Sequence, residues 1–397
     1  VDPIRNPYAP GAGQRPPELA GREEQLEAFD IVLERVAKGR PERSLVLTGL
    51  RGVGKTVLLN ALRSAAVRRG WGTGKLEARP DQRLRRPLAG AVHQAVRELG
   101  HPDPSEVLGV IRAFAQRDAR PGAKLRDIWN PGIEVPAAKG RADSGDIEID
   151  LVELFTDLGG LAADVGKGVA IFVDEMQDLG ADDVSALCAA CHEISQSGLP
   201  IIVVGAGLPH LPAVLSASKS YSERLFRYQR IDRLSREAAD KALTAPALEE
   251  AASYEPGALE ALFAATGGYP YFIQAYGKAV WDVAPASPVT AADVAVAAPE
   301  AESELAVGFF GSRYERATPG ERDYLRAMAD AAVELDAEIV DDVGSVPTAD
   351  VAAILGKKPQ SLSPARDALL KKGLIYSGER GRIAFTVPQF GRYLRER

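Results

Sequence analysis

Eight consecutive residues, Gly49-Leu50-Arg51-Gly52-Val53-Gly54-Lys55-Thr56, meet the spacing G-x-x-x-x-G-K-[ST] without a mismatch. Glycines so placed let several backbone N–H groups turn toward one point, and a helix opening directly behind them adds the positive end of its dipole. That is chemistry for phosphate oxygens. Lys55 would neutralise β- and γ-phosphate oxygens during their transfer, Thr56 would offer its hydroxyl to Mg2+, and Val57 closes the binding segment. The plain alternative is a glycine turn at a strand–helix joint.

A phosphate loop of this kind needs an acid at the end of a neighbouring strand to hold the metal's water shell, and Val169-Ala170-Ile171-Phe172-Val173-Asp174-Glu175 supplies it. Asp174 is read as the metal-side acid. Glu175 is read as the carboxylate that polarises the attacking water, which separates a hydrolysing site from a binding site. The same two acids also suit the start of the helix that follows. Further on, Cys188-Ala-Ala-Cys191-His192 spells a haem-attachment pattern. Val184, Leu187, Cys191 and Ile194 nevertheless fall near one face of a helix expected from Asp182 to Gln196, which makes the thiols packing groups.

These groups need elements to hold them. Ser44 to Thr48 reads as a short buried strand running into the glycine loop, and a helix follows from Lys55 to Arg68. Upstream, Gly21-Arg22 opens a helix with Leu26, Phe29, Val32, Leu33 and Val36 at helical spacing. A strand near Gly74 to Ala78, a helix from Pro87 to Leu99, and strands at Val169 to Val173 and Ile201 to Val204 continue the alternation. The expected class is therefore α/β, a parallel sheet flanked by helices. Residues 1–18, rich in Pro and Gly, read as an extended arm, and residues 119–147 break the rhythm as an insertion with a hairpin and a flexible loop. From Ser235 the spacing turns helical at 237–252, 257–266 and 270–283; a Pro/Ala-rich join spans 284–300, and a helix at 301–316 leads on. The expected organisation is an arm to residue 18, a phosphate-loop core over 19–233, a helical lid over 234–300, and a connecting helix with a terminal module over 301–397.

The 397 residues, 46% hydrophobic and 26% charged, suit two or three globular domains and exclude collagen-like and disordered classes. No apolar run approaches the roughly 18 residues of a membrane span, so no membrane partner is expected. The start, Val1 to Pro7, has neither signal nor transit character, and the expected location is cytoplasmic. The net charge of −7 conceals a split: from Val351 to Arg397 ten Lys/Arg face three acids, a local +7 that leaves −14 on the first 350 residues. Such asymmetry points to two different partners.

With its loop and acid pair, the chain resembles AAA+ and STAND-type P-loop ATPases, in the branch that holds origin-recognition ATPases and archaeal-type bacterial ATPases. The likeness runs over roughly residues 17–397. Leu19, Gly21 and Arg22, within Glu18-Leu19-Ala20-Gly21-Arg22-Glu23, are similar to the stretch that lines the adenine pocket in this branch. Asp174-Glu175-Met176-Gln177-Asp178 looks like its strand-end acid motif, and Gly267-Gly268-Tyr269-Pro270 is similar to the Gly-x-Pro signature by which a STAND lid meets the nucleotide, here through Pro270. The resemblance implies ATP and ADP as ligands, Mg2+ and ATP hydrolysis. It also implies an arginine finger, for which Arg224 and Arg227 are candidates, a solvated basic helix end being the alternative. Two family positions depart. The polar residue usual at the end of the fourth strand falls at Val204-Gly205-Ala206-Gly207, and the lid arginine falls between Gln274 and Lys278, neither of them arginine. These departures favour a slow nucleotide-controlled switch over a fast motor or a self-associating ring.

Helices at 321–330, 348–356 and 361–372, then a hairpin of Leu374 to Tyr376 and Arg382 to Thr386 with its turn at 377–381, resemble a winged helix-turn-helix. In that fold Gln360, Ser361, Ser363 and Arg366 would face a major groove of double-stranded DNA, while Arg380 and Arg382 in the wing would reach phosphates. The alternative is a module that packs on a protein partner.

Overall fold

The computed structural model describes residues 1–11, 13–117, 132–219, 221–335, 345–377 and 379–396; residues 119–131 of the expected insertion and Gly378 of the expected wing turn lie outside them. The chain divides into two compact units, one of residues 24–48 and 58–230 and one of residues 1–23, 49–57 and 231–397.

The first unit is built on a sheet. Its elements run α1 (Glu23–Ala37), β1 (Ser44–Thr48), α2 (Lys55–Arg68), β2 (Gly72–Glu77), α3 (Arg85–Leu99), α4 (Ser105–Gln116), α5 (Ile147–Asp164), β3 (Val169–Asp174), α6 (Ala181–Gln196), β4 (Ile201–Gly207), α7 (Leu211–Ser218), α8 (Ser222–Leu225) and β5 (Phe226–Arg230). The five strands are parallel throughout, in the order β2-β3-β4-β1-β5. Helices cover both faces of such a sheet, so β1, β3 and β4 are buried at every residue and read as unbroken apolar runs. On β2, a Cβ at Gly72 or Gly74 would come within 2.4 or 2.1 Å of the carbonyl oxygen of Ala95 or Ala91, so α3 lies directly on the strand backbone.

Sequence periodicity did not single out α4 and α5, yet both belong to this core. Val110, Ile111 and Phe114 of α4, with Leu151, Leu154, Phe155 and Leu158 of α5, are at most 1% exposed. The start of α5 is fixed by Asp146, whose side chain accepts the backbone N–H groups of Glu148 and Ile149. One turn inside, Asp150 is fully buried and pairs with the buried guanidinium of Arg85 at 2.7 Å. It also accepts N–H and O–H from Ser144 and N–H from Gly145. Burial alone would push the Asp150 carboxyl up, but these hydrogen bonds and Arg85 hold it below its ordinary value.

The second unit is helical. It comprises α9 (Arg236–Glu249), α10 (Pro256–Thr266), α11 (Pro270–Val283), α12 (Ala291–Glu304), a π-helical stretch (Leu305–Gly311), α13 (Ser312–Tyr314), α14 (Pro319–Leu335), β6 (Val346–Pro347), α15 (Thr348–Ile354), α16 (Pro359–Lys371), β7 (Ile375–Tyr376), β8 (Arg382–Phe385) and α17 (Phe390–Arg395). The last strands form a small antiparallel sheet in the order β6-β8-β7. The expected Pro/Ala-rich join at 284–300 is corrected: it is helical from Ala291. A capping box starts that helix, Thr290 and Asp293 each accepting the other's backbone N–H, and its alanines outweigh Pro299. Nor do the first residues hang free. Pro3–Arg5 forms a 3-10 turn, the Trp281 indole donates to the Asp2 carbonyl at 2.9 Å, and the buried Tyr8 hydroxyl donates to the Leu243 carbonyl at 2.6 Å while accepting from Tyr254 at 2.8 Å.

Removing one partner of a buried ion pair leaves an uncompensated charge, so Asp150→Ala is expected to destabilise the protein by about 3–5 kcal/mol, as read by urea unfolding. Because the folded-state carboxyl is depressed, the contribution of Asp150 is present above the ordinary carboxylate pKa and is lost as pH falls through the depressed one. Wild-type and Asp150→Ala stabilities should therefore converge in acid.

Candidate nucleotide site

The chain leaves β1 at Thr48 and enters the glycine loop at once. Gly52 and Gly54 stand at φ +86° and +88°, backbone that side-chain-bearing residues rarely adopt. Lys55, the first residue of α2, is buried, and its Nζ donates to the carbonyls of Gly49 at 2.8 Å and Leu50 at 2.6 Å. The ammonium is thus held over its own loop, and Thr56 and Val57 follow in the first helical turn.

Three segments of the same unit meet this loop. Arg22 is buried, and burial lowers its pKa; its guanidinium donates to the carbonyls of Val53 at 3.2 Å and Asp232 at 2.6 Å. This fixes the Leu19 to Arg22 segment, with Gly21 at positive φ, next to the loop. Pro270 opens α11, and the N–H of Tyr271 behind it donates to the Gly52 carbonyl at 3.3 Å. The rings of Tyr271 and Phe309 stack at 4.7 Å, and a Cβ on Gly52 would lie 3.3 Å from the Phe309 ring. The third contact comes from the end of the chain: the backbone N–H of Arg51 donates to the Thr386 carbonyl at 2.9 Å.

In the sheet unit, Asp174 and Glu175 stand where β3 ends. Asp174 is buried, with the Lys75 ammonium 4.0 Å away, and its Oδ1 accepts the Glu175 N–H at 3.0 Å. Glu175 takes the left-handed backbone conformation, φ +48°, which is uncommon outside glycine and concentrates at functional positions. The oxygen donors assigned to a metal, the Thr56 hydroxyl and the Asp174 carboxylate, are of the hard type Mg2+ prefers. Among the described residues no group of three or more His, Cys, Asp or Glu side chains could hold a metal ion.

Residues 18–204 match the family model of the AAA ATPase domain, and residues 307–394 match that of a domain of unknown function. No curated protein matches the chain. Among solved structures, the Walker-type ATPase PABY2304 of Pyrococcus abyssi is similar at 16% identity and a TM-score of 0.54, over 96% of this chain and 97% of that one. The RuvB Holliday junction branch migration motor of Thermotoga maritima is similar at 17% identity and 0.45, over 94% and 96%. The Orc1 protein of Aeropyrum pernix, solved in complex with DNA, is similar at 15% identity and 0.43, over 96% and 94%. The sheet with its flanking helices is a P-loop NTPase fold.

Other expected residues lie elsewhere. Arg224 in α8 and Arg227 in β5 are both exposed. At the start of α16, Gln360 and Ser361 are exposed and Ser363 is half-buried; Arg366 pairs with its neighbour Asp367 at 3.1 Å. Arg380 is exposed, whereas the Arg382 guanidinium donates to the hydroxyl and carbonyl of Ser345 and lies 3.8 Å from Glu379. Burial pushes the thiols of Cys188 and Cys191 up to about 11 and about 12, as packing groups require. Among the described residues no helix is long and apolar enough to cross a membrane.

Three participants escaped sequence reasoning: Tyr271, Phe309 and Thr386. Phe309-Phe310 is a visible aromatic pair, but Thr386 acts through its backbone and leaves no residue-type signal. For the phosphate loop, Lys55→Ala is expected to weaken ATP binding about 100-fold, the order of a lost charge-assisted contact, with a cooperative melt retained. Isothermal titration calorimetry and a melt read the two effects.

Proposed function

We propose that the protein is an ATP-controlled switch of the origin-recognition-like and archaeal-type AAA+/STAND branch: a slow Mg2+-dependent ATPase whose C-terminal module, a winged helix, binds double-stranded DNA. The observation that carries the switch is the hydrogen bond from Arg51 N–H to the Thr386 carbonyl. It ties a backbone amide of the phosphate loop to the strand end of the terminal module, so a loop that rearranges around phosphate must also disturb the module's seat.

The residues divide the work. Gly49 to Val57 cradle the phosphates, Lys55 neutralises them, and Leu19, Gly21, Arg22 and Pro270 bound the nucleotide. Thr56 and Asp174 would hold Mg2+, which would screen the phosphate charge. Glu175 takes the proton from the attacking water. Arg224 and Arg227 remain candidates for a neighbour's site if copies of the chain associate. Slow turnover is supported by the missing lid arginine, where Gln274 instead accepts the N–H of Ala9.

The DNA reading rests on the +7 of the last 47 residues, on exposed Gln360, Ser361 and Arg380, and on the order of helices and strands from α14 to β8. A second reading, a protein partner, is favoured by Arg366 and Arg382, whose guanidinium groups are already paired inside the module. A duplex titration at 50 and 200 mM salt separates them. DNA binding should weaken at least about tenfold over that range, as counterion release by a few phosphate contacts requires. No binding at the lower salt would leave the protein partner. In the same preparation Glu175→Gln should keep ATP affinity while turnover falls about 100-fold or more, within the range of general-base catalysis, measured by phosphate release.

A further inference from the structure

The end of β4 lacks the polar side chain that a hydrolysing site would use there, and other side chains close in on its glycines. A Cβ on Gly207 would stand 2.6 Å from Gln177 Oε1 and 2.7 Å from a methyl of Leu211; one on Gly205 would stand 2.5 Å from the Met176 sulfur. The strand's empty positions are filled from the turn after β3, Met176–Asp178.

Gln177 uses both ends of its amide. Its Oε1 accepts the backbone N–H of Leu208 at 3.0 Å, and its Nε2 donates to Glu175 Oε2 at 2.6 Å. The orientation is dictated by chemistry, because a backbone N–H can only donate and an ionised carboxylate can only accept. The left-handed backbone at Glu175 aims its side chain at residue 177, and the turn is closed by Asp178 N–H on the Glu175 carbonyl at 2.9 Å.

We propose that Gln177 is the positioning residue for Glu175, supplying from the β3 turn the amide that β4 does not carry. By holding Oε2 it fixes the carboxylate plane, the base–orienter arrangement that general-base catalysis requires. Gly207 belongs to the same device, as the gap through which Gln177 reaches Leu208. The inference rests on the reading of Glu175 as the base.

The test is steady-state ATP turnover by the full chain. Gln177→Met, close in volume but without hydrogen bonds, should lower kcat about 10- to 100-fold, the cost of a loosened catalytic group, with KM within about twofold of wild type. Gly207→Ala, which pushes Gln177 off its anchor without altering it, should give the same pattern and serves if Gln177→Met does not fold. In a Glu175→Gln background neither substitution should lower turnover further, since residues that act as one unit are not additive. A merely structural role would instead raise KM, lower the thermal midpoint and stay additive. Wild-type kcat in Gln177→Met or Gly207→Ala, with Glu175→Gln inactive, overturns the positioning role alone. Unimpaired turnover in Glu175→Gln overturns the base reading and the inference with it.

Discussion

Parallel strands exchange their hydrogen bonds with neighbours that run the same way, so every strand of such a sheet must return through a crossover, and every carboxyl end falls on one edge. In this chain that edge is where β1 passes into the phosphate loop, where β3 delivers Asp174 and Glu175, and where β4 ends at Gly207. The price is a sheet sealed on both faces. Helices α3 to α6 pack apolar side chains on it, and the buried Arg85–Asp150 pair ties the start of α3 to the first turn of α5. Chemistry is then placed by strand register rather than by the loops' own preferences, which is why Glu175 can be held in an unfavourable backbone conformation.

The helical unit obeys a different constraint, aromatic packing around one irregular helix. Phe309 of the π-helical stretch stacks on Tyr271, and its neighbour Phe310 lies 5.2 Å from Tyr393 and 6.1 Å from Phe390 of α17. Adjacent residues on a regular α-helix point about 100° apart; here one ring meets Tyr271 of α11 and the phosphate loop while the next meets α17. Together with the Arg51–Thr386 hydrogen bond, this gives the loop two separate connections to the C-terminal module, one through side chains and one through backbone.

What the sequence made legible follows from these two regimes. The phosphate loop, the buried strands and helices α2, α6, α10 and α11 announce themselves through apolar runs or spacing, because one strong local signal decides each. Helices α4 and α5 did not, although their apolar faces are fully used, because the interruption between them drew the reading toward loop structure. Helix α12 was hidden by its proline and by alanines too small to mark a face, and only the Thr290–Asp293 box gives it away. The docking of residues 1–8 depends on single hydrogen bonds to helices more than 230 positions away, which no local pattern encodes.

The glycines at the end of β4 carry the same lesson into the site. Read alone, Val204-Gly205-Ala206-Gly207 is a strand missing a functional group. In the fold, glycine there leaves room for the group, since a Cβ at 207 would stand 2.6 Å from the Gln177 Oε1 that reaches Leu208. A residue-by-residue search of β4 for a polar side chain looks in the wrong place, because the amide enters from the neighbouring strand's turn. The charge of the terminal module requires equal care. Its +7 is real, yet Arg366 and Arg382 are partly neutralised by partners on the same module. The residues free to meet an anion must therefore be judged by what each guanidinium already holds, and by that criterion exposed Arg380, at the tip between β7 and β8, is better placed than Arg382 at its base.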